Sequence, residues 1–173
     1  MTIRPAEKRD IAAVAEIYEA IHTEEEAGRA EIGWVRGVYP TRATAEDSLE
    51  RGTLYVLEDG GRIRAAAKID HEQVDRYALA NWIYPAEGRE VLVLHTLVVH
   101  PRAARRGHGR AFVAYYEEEA RRRGCRALRL DTNAKNTAAR RLYASLGYRE
   151  AGVVPCVFNG IPDVNLVCLE KQI

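Results

Sequence analysis

Net charge is almost absent from this sequence: 26 Lys and Arg stand against 25 Asp and Glu, leaving +1 over 173 residues. A chain so balanced has no global basic field for nucleic acid or an anionic membrane, so neither is expected as a partner. Cysteine is scarce too. Cys125, Cys156 and Cys168 are too few and too widely spaced for a disulfide framework or a C-x-x-C metal half-site. All three are expected to be buried as small apolar side chains. The longest apolar stretch, Val91 to Val99, falls far short of the roughly 20 residues that span a bilayer. No apolar h-region accompanies Arg4, Glu7, Lys8, Arg9 and Asp10, so no signal peptide is visible and a cytoplasmic location is expected.

What is present is an ordinary globular balance, 47% hydrophobic and 29% charged, at a length suited to one domain over residues 1–173. After a first strand at Thr2 to Arg4, the apolar residues Ile11, Val14, Ile17, Tyr18 and Ile21 recur at helical spacing. Thr44 followed by Asp47 resembles the capped start of a short helix that stops at Gly52. Thr53 to Leu57 and Arg62 to Ile69, joined through Asp59-Gly60-Gly61, predict a hairpin. Val91 to Val99 is apolar on both faces except at His95 and Thr96, the pattern of a central strand covered on two sides, and Pro101 must end its pairing. Phe112, Val113, Tyr116 and Ala120 form the inner stripe of the next helix. Its outer face carries the pairs Glu117–Arg121, Glu118–Arg122 and Glu119–Arg123 and is expected to be solvated. Arg126 to Asp131 reads as a strand, Asn136 to Leu146 as a helix stopped by Gly147, and Tyr148 to Leu169 as a hairpin about Asn159-Gly160. Strands and helices mixed in this way predict a single α/β (α+β mixed) sheet domain.

The run from Pro101 to Ala111 lies between a buried strand and a helix, and carries Arg105, Arg106, Gly107, His108, Gly109 and Arg110. A helix start offers unpaired N–H groups, and glycines let a ligand approach them, so the expected ligand is a phosphate or pyrophosphate. One exposed charge at a helix end contributes only about 0.3 to 1 kcal/mol, so several amides and guanidinium groups must act together. The other reading is a turn whose arginines simply face water. No Gly-Lys-Ser/Thr follows and the third glycine of a dinucleotide fingerprint is missing.

Here the sequence resembles the GCN5-related N-acetyltransferases (GNAT), whose acetyl-CoA loop reads Gln/Arg-x-x-Gly-x-Gly/Ala after a Val-x-Pro strand end. This chain has Val99-His100-Pro101 and then Ala104-Arg105-Arg106-Gly107-His108-Gly109, with Ala104 departing from the family's Gln or Arg. Downstream, Asn136 to Tyr148 is similar to the family's Asn-x-x-Ala-x-x-x-Tyr-x-x-x-Gly-Phe/Tyr helix. The resemblance runs closely from Val91 to Tyr148, with Ile3-Arg4-Pro5-Ala6 a fainter echo. It implies a GNAT fold, a mixed and mostly antiparallel sheet with helices on both faces. It also implies acetyl-CoA as cosubstrate and direct acetyl transfer to a primary amine through a ternary complex. Cofactor contacts would come from Leu97, Val98, Val99, the loop from Arg105 to Ala111, Asn136 and Ala139. A backbone N–H near Leu97 or Val98 would serve the acetyl carbonyl, and His108 would fill a permissive loop position.

Taken alone, Tyr143 at helical spacing is a core residue and His95 a hydrogen-bonded core histidine. The resemblance gives both a task. Tyr143 matches the family's general acid beside the thioester sulfur. Leu94 to His100 is similar to the strand of the arylalkylamine (serotonin) N-acetyltransferases, in which the matching histidine belongs to a proton relay. An alkylamine with a pKa near 10.4 is deprotonated only about once in 10³ at neutral pH, so a base such as His95 has work to do. Against a leaving thiol near 8.5, a tyrosine near 10 is about 1.5 pH units too weak an acid for full transfer, which favours a hydrogen-bond role.

The acceptor is expected to meet Glu26, Trp34, Tyr39, Tyr77, Trp82 and Tyr84, an acidic and aromatic set suited to a cationic amine. The same residues could instead plug a sheet edge. His22, His71, His100 and His108 are not spaced as ligands of one metal, so none is expected. A non-catalytic acyl-CoA-binding module on the same fold, and a nucleotide-binding phosphotransferase, remain the other readings. The resemblance leaves a homodimer open.

Overall fold

The computed structural model describes residues 1 to 173. In chain order it contains β1 (Thr2–Pro5), α1 (Ile11–Glu26), α2 (Arg42–Glu50), β2 (Leu54–Asp59), β3 (Arg62–Asp70), β4 (Val91–Val99), α3 (His108–Arg122), β5 (Ala127–Asn133), α4 (Thr137–Ser145), β6 (Arg149–Phe158) and β7 (Ile161–Gln172). The strands form one 7-stranded sheet in the order β1-β2-β3-β4-β5-β7-β6. Only β4 and β5 pair in parallel; every other neighbour is antiparallel. The expected mixed, mostly antiparallel sheet is therefore present.

The apolar periodicities decide which face each helix covers. Ile11, Val14, Ile17, Tyr18 and Ile21 of α1 pack with Leu54, Val56, Ala66 and Val98 on one face. Phe112, Val113, Tyr116 and Ala120 of α3 pack with Leu57, Ala67, Leu92, Leu128 and Tyr143 on the other. The segment between β3 and β4, which the sequence left unassigned, has only short 3-10 turns at Asp75–Leu79 and Gly88–Glu90. It covers the α1 face of the far half of the sheet, with Tyr77 and Ala86 packed on Val91, Val93, Leu166 and Cys168. No helix is long and apolar enough to cross a membrane.

Three sequence expectations need correction. The start of α2 is capped by Thr41, whose hydroxyl accepts from the Thr44 N–H, so Thr44 is the third helical residue and not the cap. On α3, Glu119 takes both Arg122 and Arg123, and Arg121 reaches Glu117 and Glu118, so Glu118–Arg122 does not form. Cys125 and Cys168 are buried, but Cys156 on the edge strand β6 is only half-buried.

Candidate active site

The site begins where two strands part. The parallel β4–β5 ladder runs from Val91 opposite Ala127 to Leu94 opposite Leu130 and then stops. Beyond that point β4 stays paired with β3 as far as Val99, and β5 with β7 as far as Asn133. The groups of β4 that face the gap have no strand partner. At the same place β4 carries one extra residue against β3: Ala66 pairs with Val98 but Lys68 with His95, and Thr96 takes φ 53°. This bulge reverses the alternation of the strand. Leu92 and Leu94 pack on the α3 side before it, and Leu97 and Val99 do so after it.

A cavity of about 330 Å³ opens from this gap. Leu97, Val98 and Val99 line it from β4, Asp131 from β5, Asn136, Ala139 and Tyr143 from α4, and Trp34 and Tyr39 from the α1–α2 loop. Asn136 caps α4, its side-chain oxygen accepting from the Ala139 N–H at 3.1 Å. Tyr143 is 6% exposed and stacks edge-on against Tyr148, while no hydrogen bond within the chain engages its hydroxyl. Burial, reinforced by the nearby Asp131, pushes that hydroxyl above its usual range.

His95, paired with Lys68 at the edge of the bulge, reaches the same cavity. Its Nε2–H points at two acceptors, Asp70 Oδ1 at 3.2 Å and the Glu72 carbonyl at 3.1 Å, leaving Nδ1 as the basic nitrogen of the neutral ring. Burial raises the Asp70 carboxyl, but the His95 contact, the Glu72 N–H and Lys68 outweigh it and bring the group down to about 2.

Sequence reading missed Asp131. It lines the cavity, and its Oδ2 accepts a 2.7 Å hydrogen bond from the buried Tyr77 hydroxyl. Burial pushes its carboxyl above the usual range, opposed by that hydrogen bond and by His95. The strand already carries a charge at Arg129, so Asp131 did not stand out in the sequence pattern. Thr96 was seen only as a break in the apolar run, yet its hydroxyl shares a hydrogen bond with Tyr39 across the cavity.

The turn before α3 leaves backbone donors open. Arg105 has φ 62° and Gly107 φ 81°, and no side chain caps α3, so the N–H groups of its first turn remain free. Arg105 and Arg106 are exposed, and Arg110 donates to Ser145 Oγ on α4 at 3.0 Å. An uncapped helix start beside the open edge of β4, with guanidinium groups around it, fits an elongated cosubstrate bearing a pyrophosphate, as acetyl-CoA does. His108 departs from expectation. Its ring is 3% exposed and bonded inside the protein, so only its backbone can meet a ligand in the turn.

The expected acceptor set divides. Trp34 and Tyr39 line the cavity and meet edge to face. Glu26 lies outside it, exposed and paired with Arg36 at 2.8 Å. Tyr77, Trp82 and Tyr84 belong to the cluster beneath the far half of the sheet, where Arg129 stacks over Trp82 and Glu170 accepts from the Tyr84 N–H. Those three aromatics hold the β3–β4 segment down; Tyr77 touches the site only through Asp131.

Comparison with known proteins supports the same assignment. The family model for the acetyltransferase (GNAT) family matches residues 12–148. The [ribosomal protein bS18]-alanine N-acetyltransferase of Escherichia coli is 40% identical over 60 residues, which is 35% of this chain and 40% of that protein. The chain spans between a third and two fifths of the length of the curated relatives it matches. Among solved structures, a GNAT-family acetyltransferase of Streptococcus agalactiae has a TM-score of 0.83 at 21% identity, covering 99% of this chain and 95% of that one. The yncA acetyltransferase of Salmonella typhimurium, solved with its cofactor acetyl-CoA, has a TM-score of 0.70 at 24% identity, covering 99% and 93%. With the family model extending from α1 through the turn before α3 to Tyr148, the chain belongs to the acetyltransferase (GNAT) family.

Proposed function

We propose that this protein is an acetyl-CoA-dependent N-acetyltransferase that passes the acetyl group directly to a primary amine in a ternary complex, in the cytoplasm. The observation that carries this reading is the continuity of the site. One cavity joins the open edge of β4 to Tyr143, His95 and the aromatic pair Trp34 and Tyr39. Bound acetyl-CoA supplies an activated thioester whose acyl carbon is open to an amine.

The chain's own residues would bind and move protons. N–H groups at the start of α3, with Arg105, Arg106 and Arg110, would hold the phosphates, and Asn136 and Ala139 would border the arm. A free N–H near Leu97 or Val98 would donate to the acetyl oxygen. Tyr143, raised by burial, is a hydrogen-bond donor for the departing sulfur rather than a strong acid. His95, steadied through Nε2 by Asp70, would take the amine proton at Nδ1. The likeness of its strand to the arylalkylamine enzymes supports this role without assigning the acceptor. A second base is favoured by one observation: Asp131 has one oxygen held by Tyr77 and a carboxyl raised by burial at the cavity wall. No cysteine takes part, since Cys125 and Cys168 are buried and none of the three lines the cavity.

The test is CoA release over a panel of amines, with mass analysis of the product. The panel includes a peptide with an N-terminal alanine, because one relative is named for that acceptor. An acetylated amine is expected; tight acetyl-CoA binding without product on any acceptor would leave a binding module instead, and an acetyl-cysteine trapped during turnover would overturn direct transfer.

A further inference from the structure

We propose that His108 is held as an imidazolium beneath the turn before α3, tying that turn to the β2–β3 hairpin and placing a fixed buried cation behind the acyl-CoA phosphate site. The second half rests on the acetyl-CoA reading above; the first does not.

The argument is one of donors and acceptors. Nδ1 of His108 lies 3.0 Å from the carbonyl oxygen of Ala103, and Nε2 lies 3.1 Å from Asp59 Oδ2. A carbonyl and an ionised carboxylate can only accept, whereas a neutral imidazole has one N–H and one lone pair. Either neutral tautomer sets a ring lone pair against an oxygen at hydrogen-bond distance. The imidazolium has two donors and satisfies both. Asp59 does not supply the missing proton at neutral pH, because its side chain is 42% exposed and an exposed carboxyl is ionised there.

Position then gives the charge a purpose. Burial and the positive end of α3 both work against a cation at the first residue of the helix. The Asp59 carboxylate offsets part of that cost, and an anion on the adjacent Gly107–Gly109 turn would offset more. Phosphate binding and protonation of His108 must therefore favour one another equally. The Nδ1 bond also closes the turn from Ala103 to His108, and the Nε2 bond fastens it to the end of β2.

Charged groups facing the pair come from several elements. The Met1 ammonium stands 3.9 Å from Asp59 Oδ1 and Arg64 comes from β3, while Arg105 and Arg106 are exposed in the turn and Arg110 donates to Ser145 on α4. The arginines keep their charge at all relevant pH values. With several charges close to the pair, the ring itself must be observed.

Nitrogen–proton correlation spectra of the ¹⁵N-labelled chain, without ligand and at neutral pH, should show both ring nitrogens of His108 protonated. A single bare ring nitrogen would overturn the imidazolium. Acetyl-CoA affinity is then followed against pH in the wild type and in Asp59→Asn, a change at a side chain 42% exposed and outside the cavity. The wild type should lose affinity as the ring signal changes. In Asp59→Asn that loss should move to lower pH, with affinity several-fold weaker at pH 8. A protonated ring combined with an unaltered Asp59→Asn profile would overturn the link to the cosubstrate. Failure to bind acetyl-CoA at any pH would overturn the cosubstrate reading and that link, while the ring spectrum still decides the imidazolium.

Discussion

Leu94 faces Leu130 as the last rung between β4 and β5, and the next residue, His95, pairs with Lys68 at the edge of the bulge. A sheet can open at this point without fraying because each strand keeps its outer neighbour, β3 on one side and β7 on the other. The opening therefore exposes backbone groups held rigidly from behind, the condition under which donors act without reorganising during reaction. Function and fold meet in that rung.

Tyr143→Phe should lower kcat by roughly 10²-fold or more, the lower end of the range for a positioned proton donor, with little change in the KM for acetyl-CoA. The hydroxyl has no partner within the chain, so the ring packing against Tyr148 survives and Tm should be nearly unaltered. Steady-state kinetics beside thermal melts check both halves. A rise in KM alone would make the residue a packing element.

Asp131→Asn should stabilise the fold at neutral pH and reduce turnover. The carboxyl is raised by burial, so the ionised form is the costly one: stability is fullest below the ordinary carboxylate range and declines as pH rises through the folded-state value. Asn still accepts from Tyr77 and removes that charge. Melts run upward from below the ordinary carboxylate range should show the variant's advantage growing as pH rises. For the reaction, His95→Gln and Asp131→Asn are compared across pH. The base is the residue whose loss abolishes the acidic limb of kcat/KM and costs about 10² to 10⁴ in rate.

Much of this was legible in the residues. Alternation and helical spacing gave the elements, and Gly107 and Gly109 marked the turn before α3, because local backbone needs are written locally. Three things were not. The bulge at Thr96 depends on the pairing of β3 with β4, which no single strand reports. Asp131 becomes unusual only when Tyr77, 54 residues earlier, covers it. Trp82 and Tyr84 looked like an acceptor wall because composition says nothing about which face of a sheet a segment covers; Glu170, 87 residues beyond Ile83, decides that by accepting the Ile83 N–H.

Asp70 should make the protein sensitive to acid. Its folded-state carboxyl lies at about 2 against an ordinary value of 3.8, so its ionised contribution is present above the ordinary value and is lost as pH falls through about 2. The urea midpoint of the wild type should exceed that of Asp70→Asn at pH 6, and the gap should close between about pH 4 and pH 2. A gap that persists at pH 2 would assign the difference to packing and not to the charge shared with Lys68 and His95.

Two glycines should respond differently to the same methyl group. At Gly107 an added Cβ meets nothing within 4 Å, but φ is +81°, where an L residue costs roughly 1 to 2 kcal/mol. Gly107→Ala should fold, while the turn relaxes from the left-handed conformation and must be drawn back by the cosubstrate. The KM for acetyl-CoA should rise by about five- to thirty-fold, with kcat largely retained. At Gly33, which lines the cavity, the same atom would clash with the Asn133 side-chain amide, at φ +83°. Gly33→Ala must push β5's last residue or the α1–α2 loop aside, so its effect should fall on the acceptor's KM and on Tm, leaving the acetyl-CoA KM near wild type. Titrating each substrate separately in both variants distinguishes the turn before α3 from the α1–α2 loop; equal effects on both KM values in both variants would mean that the turn and the loop do not serve different substrates.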